Sequence, residues 1–112
     1  MPIVSVIVPV YNAQLLTLRC IQSLVMTLGP MLGPAVELIV SDDCSPDWNP
    51  LEWLGPPVTV LRNEKNLGFA PNLNRASQTA MGNYLFFLNS DTIAQPNWLP
   101  PLGILMENIP TV

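Results

Sequence analysis

Residues Tyr84–Thr92, YLFFLNSDT, carry the clearest indication of the fold. The unbroken apolar run Tyr84–Leu88 leads directly into turn-forming residues, a pattern typical of a strand that is buried on both faces. Open α/β sheets bind their ligands at the carboxyl ends of such strands. The pattern therefore predicts that Asp91 lies at the rim of a pocket, with Asn89 beside it. The alternative is an ordinary turn or helix cap, in which both side chains satisfy backbone N–H groups.

Strand and helix patterns alternate along the rest of the chain. Short β-branched, apolar runs predict three further strands, at Ile3–Val8, Val36–Val40 and Val58–Leu61. The spacing of apolar residues predicts one helix over Leu15–Leu28, and a second is expected from about Pro71 to Met81. A short helix over Trp48–Gly55 and another beginning in Leu102–Met106 are also expected.

The resulting β-α-β-α-β-α-β order is typical of a parallel sheet with right-handed crossovers. We therefore expect a three-layer α/β/α fold with a mainly parallel sheet. Residues 1–112 would form one partial domain, because a sheet of this kind normally continues beyond its fourth strand. The low content of charged residues, 11 %, agrees with a surface that is partly covered by further chain.

Composition excludes several classes of function. The net charge of −4 argues against nucleic-acid binding, which needs a basic face. Without histidine, no histidine-based triad or histidine-ligated zinc site can form. Cys20 and Cys44 lack metal-finger spacing, and we expect two reduced thiols rather than a disulfide. The sequence shows no membrane-span pattern and no signal peptide, so a cytoplasmic, soluble chain is expected.

Polar clusters follow three of the predicted strands, at Pro9–Asn12, Asp42–Asp47 and Asn89–Thr92. Parallel strands bring their carboxyl ends to one edge of the sheet, so these clusters predict a single site. Tyr11 either packs or offers a flat ring to a planar base. Of the adjacent pair Asp42 and Asp43, one would accept an N–H from a ligand base or sugar. The alternative is that the pair only forms a turn and a helix cap.

A phosphate-binding loop of a known backbone type is not recognisable. The turn Asn66–Phe69 contains a plausible positive-φ residue, Gly68, but neither the repeated glycines of a dinucleotide-binding loop nor a P-loop lysine. A diphosphate would then need a divalent cation held by Asp91, since hard cations bind carboxylate and phosphate oxygens together.

Four segments together resemble the N-terminal half of family 2 glycosyltransferases of the GT-A fold. They are, in order, VSVIVPVYN, ELIVSDDCSPD, NEKNLGFAPNLNRA and MGNYLFFLNSDT. The rhamnosyltransferase-type members of polysaccharide and cell-wall assembly are the most similar. The resemblance implies inverting transfer of a sugar from a nucleotide-diphosphate sugar to a saccharide or lipid-linked acceptor, with Mg²⁺ or Mn²⁺ as cofactor. It also implies a cytoplasmic protein that is peripheral to the membrane.

The resemblance also implies roles for individual residues. The base and ribose would be lined by Tyr11 with Pro9 and Asn12, and by Asp43 with Asp42 beside it. The remaining nucleotide and its diphosphate would lie along Asn66, Gly68, Asn74 and Arg75. Asp91 matches the last residue of the family's DxD motif and would contact the metal.

Two positions depart from the family pattern, and one role has no match. Asn89 replaces the first aspartate of DxD; its amide oxygen can still be a ligand but adds no charge. Cys44 stands where glycine or a small polar residue is usual. The general base has no matching residue, so this chain alone is expected to bind a donor without transferring its sugar.

Other classes of protein share parts of this pattern. Response-regulator receivers also combine a parallel sheet with an acidic pair, but their pair follows strand one and they need a late lysine, whereas the only lysine here is Lys65. The remaining alternative is a non-catalytic nucleotide-binding or assembly module. Such a module would pair through an exposed sheet edge with a second copy or with a complementing C-terminal half.

Overall fold

The structure is a computed structural model that describes residues 2–12, 14–46, 54–96 and 98–99. Within them the elements are β1 (Val4–Val10), α1 (Gln14–Leu28), a 3-10 turn (Gly29–Met31), β2 (Val36–Asp42), β3 (Val58–Arg62), α2 (Phe69–Thr79) and β4 (Tyr84–Phe87). Most of the expected helix Trp48–Gly55, and all of Leu102–Met106, lie outside the described residues. No described helix is long and apolar enough to cross a membrane.

The four strands form one parallel sheet in the order β3-β2-β1-β4. Alternate residues of the central strand β1 point to opposite faces, as strand geometry requires. Val4, Val6, Val8 and Val10 pack with residues of α1 on one face. Ile7 packs with Ala76 of α2 on the other. The predicted α/β/α layers and parallel sheet are confirmed.

Both central strands run further than the sequence indicates. The strand predicted to stop before Pro9 continues to Val10, with Pro9 opposite Ser41. Proline lacks an N–H. At this position in β1 the N–H of another residue would point towards β4, but the ladder between β1 and β4 has already ended at the pair Ile7 and Phe87. No ladder hydrogen bond is lost, so the proline is tolerated.

The prediction that the strand at Tyr84–Leu88 is buried on both faces is wrong for the described structure. Tyr84, Phe86 and Leu88 pack against the core on the α1 side. Leu85 and Phe87 are 40 % and 50 % exposed on the other face. β4 lies at the edge of the described sheet, and α2 contacts β1 and β2 instead. Apolar composition alone therefore overstated the burial of this strand.

Candidate functional site

A pocket of about 180 Å³ opens at the carboxyl ends of β1 and β2. It is lined by Pro9, Val10, Tyr11, Asp43, Asn66, Gly68, Phe69 and Asn72. Five of the predicted site residues are therefore brought together, namely Pro9, Tyr11, Asp43, Asn66 and Gly68. Tyr11 and Phe69 are 49 % and 66 % exposed as whole residues, so both leave surface open to a ligand.

Asp43 is the charged group of this pocket, and it is only 4 % exposed. Its Oδ1 accepts hydrogen bonds from the N–H of Leu67 and from Nδ2 of Asn63, both at 2.8 Å, and its Oδ2 accepts from the N–H of Gly68 at 2.9 Å. Burial by itself raises the pKa of Asp43, but these hydrogen bonds outweigh it and hold the pKa below the usual 3.8. The pocket wall is therefore negative at neutral pH.

The turn that Asp43 holds depends on a glycine. Gly68 has φ +93°, a conformation that side chains rarely allow, and its carbonyl accepts the N–H of Asn72 at the start of α2. Its N–H is shared between Asp43 and Oδ1 of Asn66 at 3.0 Å. The positive-φ glycine that the sequence predicts in this turn is confirmed.

Asp42 points away from the pocket although it precedes Asp43. It is fully buried, accepts hydrogen bonds from the hydroxyl and N–H of Ser45, and lies 3.4 Å from Nη1 of Arg62. Of the two functions proposed for this pair, Asp42 therefore has the turn-capping one, and it does not line the pocket.

Two residues in this region have an unusual backbone conformation, and one of them is the departure Cys44. Asn12 and Cys44 are the described non-glycine residues with positive φ, at +59° and +61°. Asparagine adopts this region more readily than most residues, whereas cysteine at the position where the family often has glycine bears a steric cost. The N–H of Asn12 donates to Oγ of Ser45 at 2.9 Å, so Asn12 ties the β1 turn to the β2 turn without lining the pocket.

Asn74 and Arg75 also lie outside the pocket. Asn74 is exposed on α2. Arg75 donates through Nη1 to Oδ1 of Asn63 and faces a neighbouring groove of about 290 Å³ that Arg62 and Lys65 also line. Arg75 therefore contacts Asn63, which in turn contacts Asp43, and it does not line the pocket.

Asp91 and Asn89 lie in the turn after β4, on the same edge of the sheet, and both side chains are exposed. The turn is closed by the N–H of Thr92, which donates to the carbonyl of Asn89 at 3.1 Å. No group of three histidine, cysteine or acidic side chains with metal-site geometry occurs in the described part of the chain. An exposed carboxylate two residues from an exposed amide in one turn does fit Mg²⁺ or Mn²⁺, which typically bind one or two carboxylates, water and substrate phosphates.

Polar side chains of α1 form hydrogen bonds with the segment that follows β4, and the sequence analysis did not identify them. Oγ of Ser23 accepts the N–H of Ala94, and Oγ1 of Thr27 accepts Nε1–H of Trp98, both at 2.8 Å. The thiol of Cys20 donates to the carbonyl of Asn89 at 3.7 Å. The one available signal was polar residues recurring at helical spacing beside the apolar stripe of α1.

The pKa of the Cys20 thiol is also affected by the negative charge in this turn. Burial first, and then the negative charge of Asp91, raise its pKa to about 11, although the N–H of Thr92 opposes the shift. Cys20 and Cys44 are both free, as the sequence predicts.

Solved structures define the class of protein. Residues 1–349 of TarS from S. aureus superpose with a TM-score of 0.76 at 27 % identity, over 94 % of this chain and 32 % of that one. A mannosyltransferase from Pyrobaculum calidifontis, in complex with GDP-Man and Mn²⁺, gives 0.69 at 27 % identity, over 80 % and 28 %. The fold is that of the N-terminal part of GT-A glycosyltransferases.

The family follows from sequence. Residues 5–112 match the family described as Glycosyl transferase family 2, and the chain belongs to it. It is 32 % identical over 109 residues to an uncharacterized glycosyltransferase of Haemophilus influenzae, covering 96 % of this chain and 36 % of that protein. It is 36 % identical over 95 residues to the putative teichuronic acid biosynthesis glycosyltransferase TuaG of Bacillus subtilis, covering 80 % and 36 %. The chain spans about a third of the length of these relatives.

Proposed function

We propose that this chain forms the donor-binding part of an inverting glycosyltransferase. The enzyme would transfer a sugar from a nucleotide-diphosphate sugar to a saccharide or lipid-linked acceptor in polysaccharide synthesis. The observation that carries the proposal is the ionised Asp43 in a pocket on the same sheet edge as Asp91. It is supported by similar structures that were solved in complex with UDP, UDP-GlcNAc and GDP-Man. A rhamnosyl donor stays a prediction.

The pocket is suited to a nucleobase. The backbone N–H groups of Leu67 and Gly68 are already directed at Asp43, so this wall offers a ligand mainly a negative acceptor. Oδ2 of Asp43 accepts one protein hydrogen bond and retains capacity for another. Uracil and guanine each carry a ring N–H that can donate to it. The rings of Tyr11 and Phe69 would contact the faces of the base and sugar.

The diphosphate would bind near the turn after β4. Asp91, with the amide oxygen of Asn89, would hold Mg²⁺ or Mn²⁺, and the cation would neutralise the charge on the departing diphosphate. A cation is needed there because the chain carries a net charge of −4 and both proposed contacts for the donor, Asp43 and Asp91, are acidic.

Calorimetric titration with UDP, with and without Mn²⁺, tests both halves of the site. We expect Mn²⁺ to tighten binding to the wild-type chain but not to the Asp91→Ala variant. Asp43→Asn should weaken binding roughly tenfold or more in either condition, since it removes a charged acceptor. Glu64→Gln changes an exposed carboxylate outside the pocket and serves as the control. Manganese-independent binding that Asp91→Ala leaves unchanged would contradict the role given to Asp91.

A second candidate, an assembly module, is favoured by the exposed apolar face of β4. Leu85 and Phe87 are 40 % and 50 % exposed beside a strand edge that pairs with no other described strand. Light scattering of the wild-type chain and of Phe87→Ser would test it. A dimer that this substitution dissociates would support self-association through β4.

A further inference from the structure

Asn63 links Asp43 of the pocket wall to two residues of helix α2. It is 4 % exposed, and it follows β3 directly. Its Nδ2 donates to Oδ1 of Asp43 at 2.8 Å and to Oδ1 of Asn72 at 2.9 Å, while its Oδ1 accepts Nη1–H of Arg75. This side chain therefore links Asp43, at the end of β2, to Asn72 and Arg75 of α2, and Asp43 in turn accepts the N–H groups of Leu67 and Gly68.

The chemistry of Arg75 fixes which way this amide points. A guanidinium can only donate, so it must face the oxygen of Asn63, and the amide nitrogen must then face Asp43. The opposite orientation would place the amide oxygen against the Asp43 carboxylate and the amide nitrogen against a cation. Both contacts would be repulsive.

A second amide supports the same orientation from below. Asn72 is 2 % exposed, accepts Oγ–H of Ser41 at 2.7 Å, and donates to the Ser41 carbonyl at 3.1 Å. Oδ1 of Asn72 therefore also accepts from Nδ2 of Asn63. Rotating the Asn72 amide by 180° would break its bonds to both Ser41 and Asn63. Donor and acceptor roles are thus set from Ser41 through to Asp43.

We propose that Arg75 and Asn63 are positioning residues that hold Asp43 and the turn Asn66–Gly68 in the geometry that binds the nucleotide. Arg75 acts through the Asn63 amide rather than by contact with the donor diphosphate. The proposal rests on the donor-binding function proposed above for this pocket. It assigns a role to Asn63, for which the family resemblance implies none, and gives Arg75 a different role from the one that the resemblance implies.

Amide chemical shifts test the network without any nucleotide. The N–H groups of Leu67 and Gly68 donate to the Asp43 carboxylate, so their proton and nitrogen shifts report its position. We expect both shifts to move in Arg75→Met and to return towards wild type in Arg75→Lys, which restores an obligatory donor. Lys65→Met removes the same charge from the same groove and should leave both shifts in place.

Titration with UDP then tests the consequence for binding. We expect Arg75→Met to weaken UDP roughly tenfold, Arg75→Lys to recover most of the loss, and Lys65→Met to have little effect. Weakened UDP binding with unmoved Leu67 and Gly68 shifts, and no rescue by lysine, would overturn the proposal in favour of direct contact. An equal loss in Lys65→Met would overturn it in favour of general charge attraction. If the wild-type chain binds no UDP, the proposed function fails, and the amide shifts still decide the positioning role.

Discussion

Gly82 precedes β4 and lies tightly against β1, and Gly82→Ala should destabilise the fold measurably. A Cβ at this position would lie 2.6 Å from both N and Oγ of Ser5 and 2.7 Å from the carbonyl carbon of Val4. Both neighbours belong to the buried central strand and cannot move away, so the chain around Gly82 must shift. The N–H of Gly82 now donates to Oγ of Ser5 at 2.8 Å, and a shift would weaken that bond.

The expected magnitude combines two terms. Overpacking of a buried contact costs about 1–3 kcal/mol, and a lost hydrogen bond adds about 1 kcal/mol. The sum, about 2–4 kcal/mol, corresponds to a fall in Tm of about 8–16 °C at about 4 °C per kcal/mol for a chain of this size. The neighbouring contact, in which the N–H of Met81 donates to Oε1 of Glu37 at 2.6 Å, would strain further if the turn moves.

Thermal and urea unfolding followed by circular dichroism would measure the effect. Gly55→Ala is the matched control, because no atom lies within 4 Å of the added Cβ and its φ is not in the left-handed region. We expect its free energy of unfolding to stay within about 0.5 kcal/mol of wild type. A Gly82→Ala chain as stable as Gly55→Ala would refute the close approach of Gly82 to β1 on which the estimate depends.

Three further predictions follow from the site. Ser23→Ala should reduce the Mn²⁺-dependent gain in UDP affinity several-fold in calorimetry, with Mn²⁺-free affinity unchanged, because Ser23 holds the segment after Asp91 by the Ala94 N–H. A thiol reagent at pH 8 should modify one cysteine in the folded chain and two after unfolding, since Cys20 is buried with its pKa raised to about 11. The hydrogen bonds that lower the pKa of Asp43 favour the ionised carboxylate in the folded chain. They therefore stabilise the fold above pH 3.8, and this contribution is lost as the pH falls below that value. The stability gap between wild type and Asp43→Asn in urea unfolding should therefore narrow below that pH.

The fold was predictable because its signals are local. Hydrophobic period and turn residues identify strands and helices within a few residues, and alternation of the two fixes a parallel sheet. Burial was less predictable. Phe87 is as apolar as Phe86, yet only Phe86 packs against the core, because exposure depends on which element covers each face.

The residues that line the pocket were predictable where strand ends and the glycine turn before α2 supply them. Asp43 is identifiable because a carboxylate directly follows a strand. Its neighbour Asn63 is not, since the amide is 20 residues away in sequence and its orientation is set by a residue 12 positions further on. Ser23 is likewise joined to Ala94 across 71 positions. Such contacts leave no local pattern, and the order of the strands alone brings them together.

The two ends of the proposed donor site differ in how much of their geometry exists before a ligand binds. Asp43 is buried and accepts three protein hydrogen bonds. A base could therefore bind there with little loss of conformational entropy in the pocket wall. Asp91 is exposed, and the bonds from α1 reach the main chain around it rather than its carboxylate. In the proposed site, its carboxylate would therefore stay hydrated until a cation and a diphosphate bind together. β1 pairs with both β2 and β4, so it sets the distance between the proposed base pocket and the proposed cation and phosphate site.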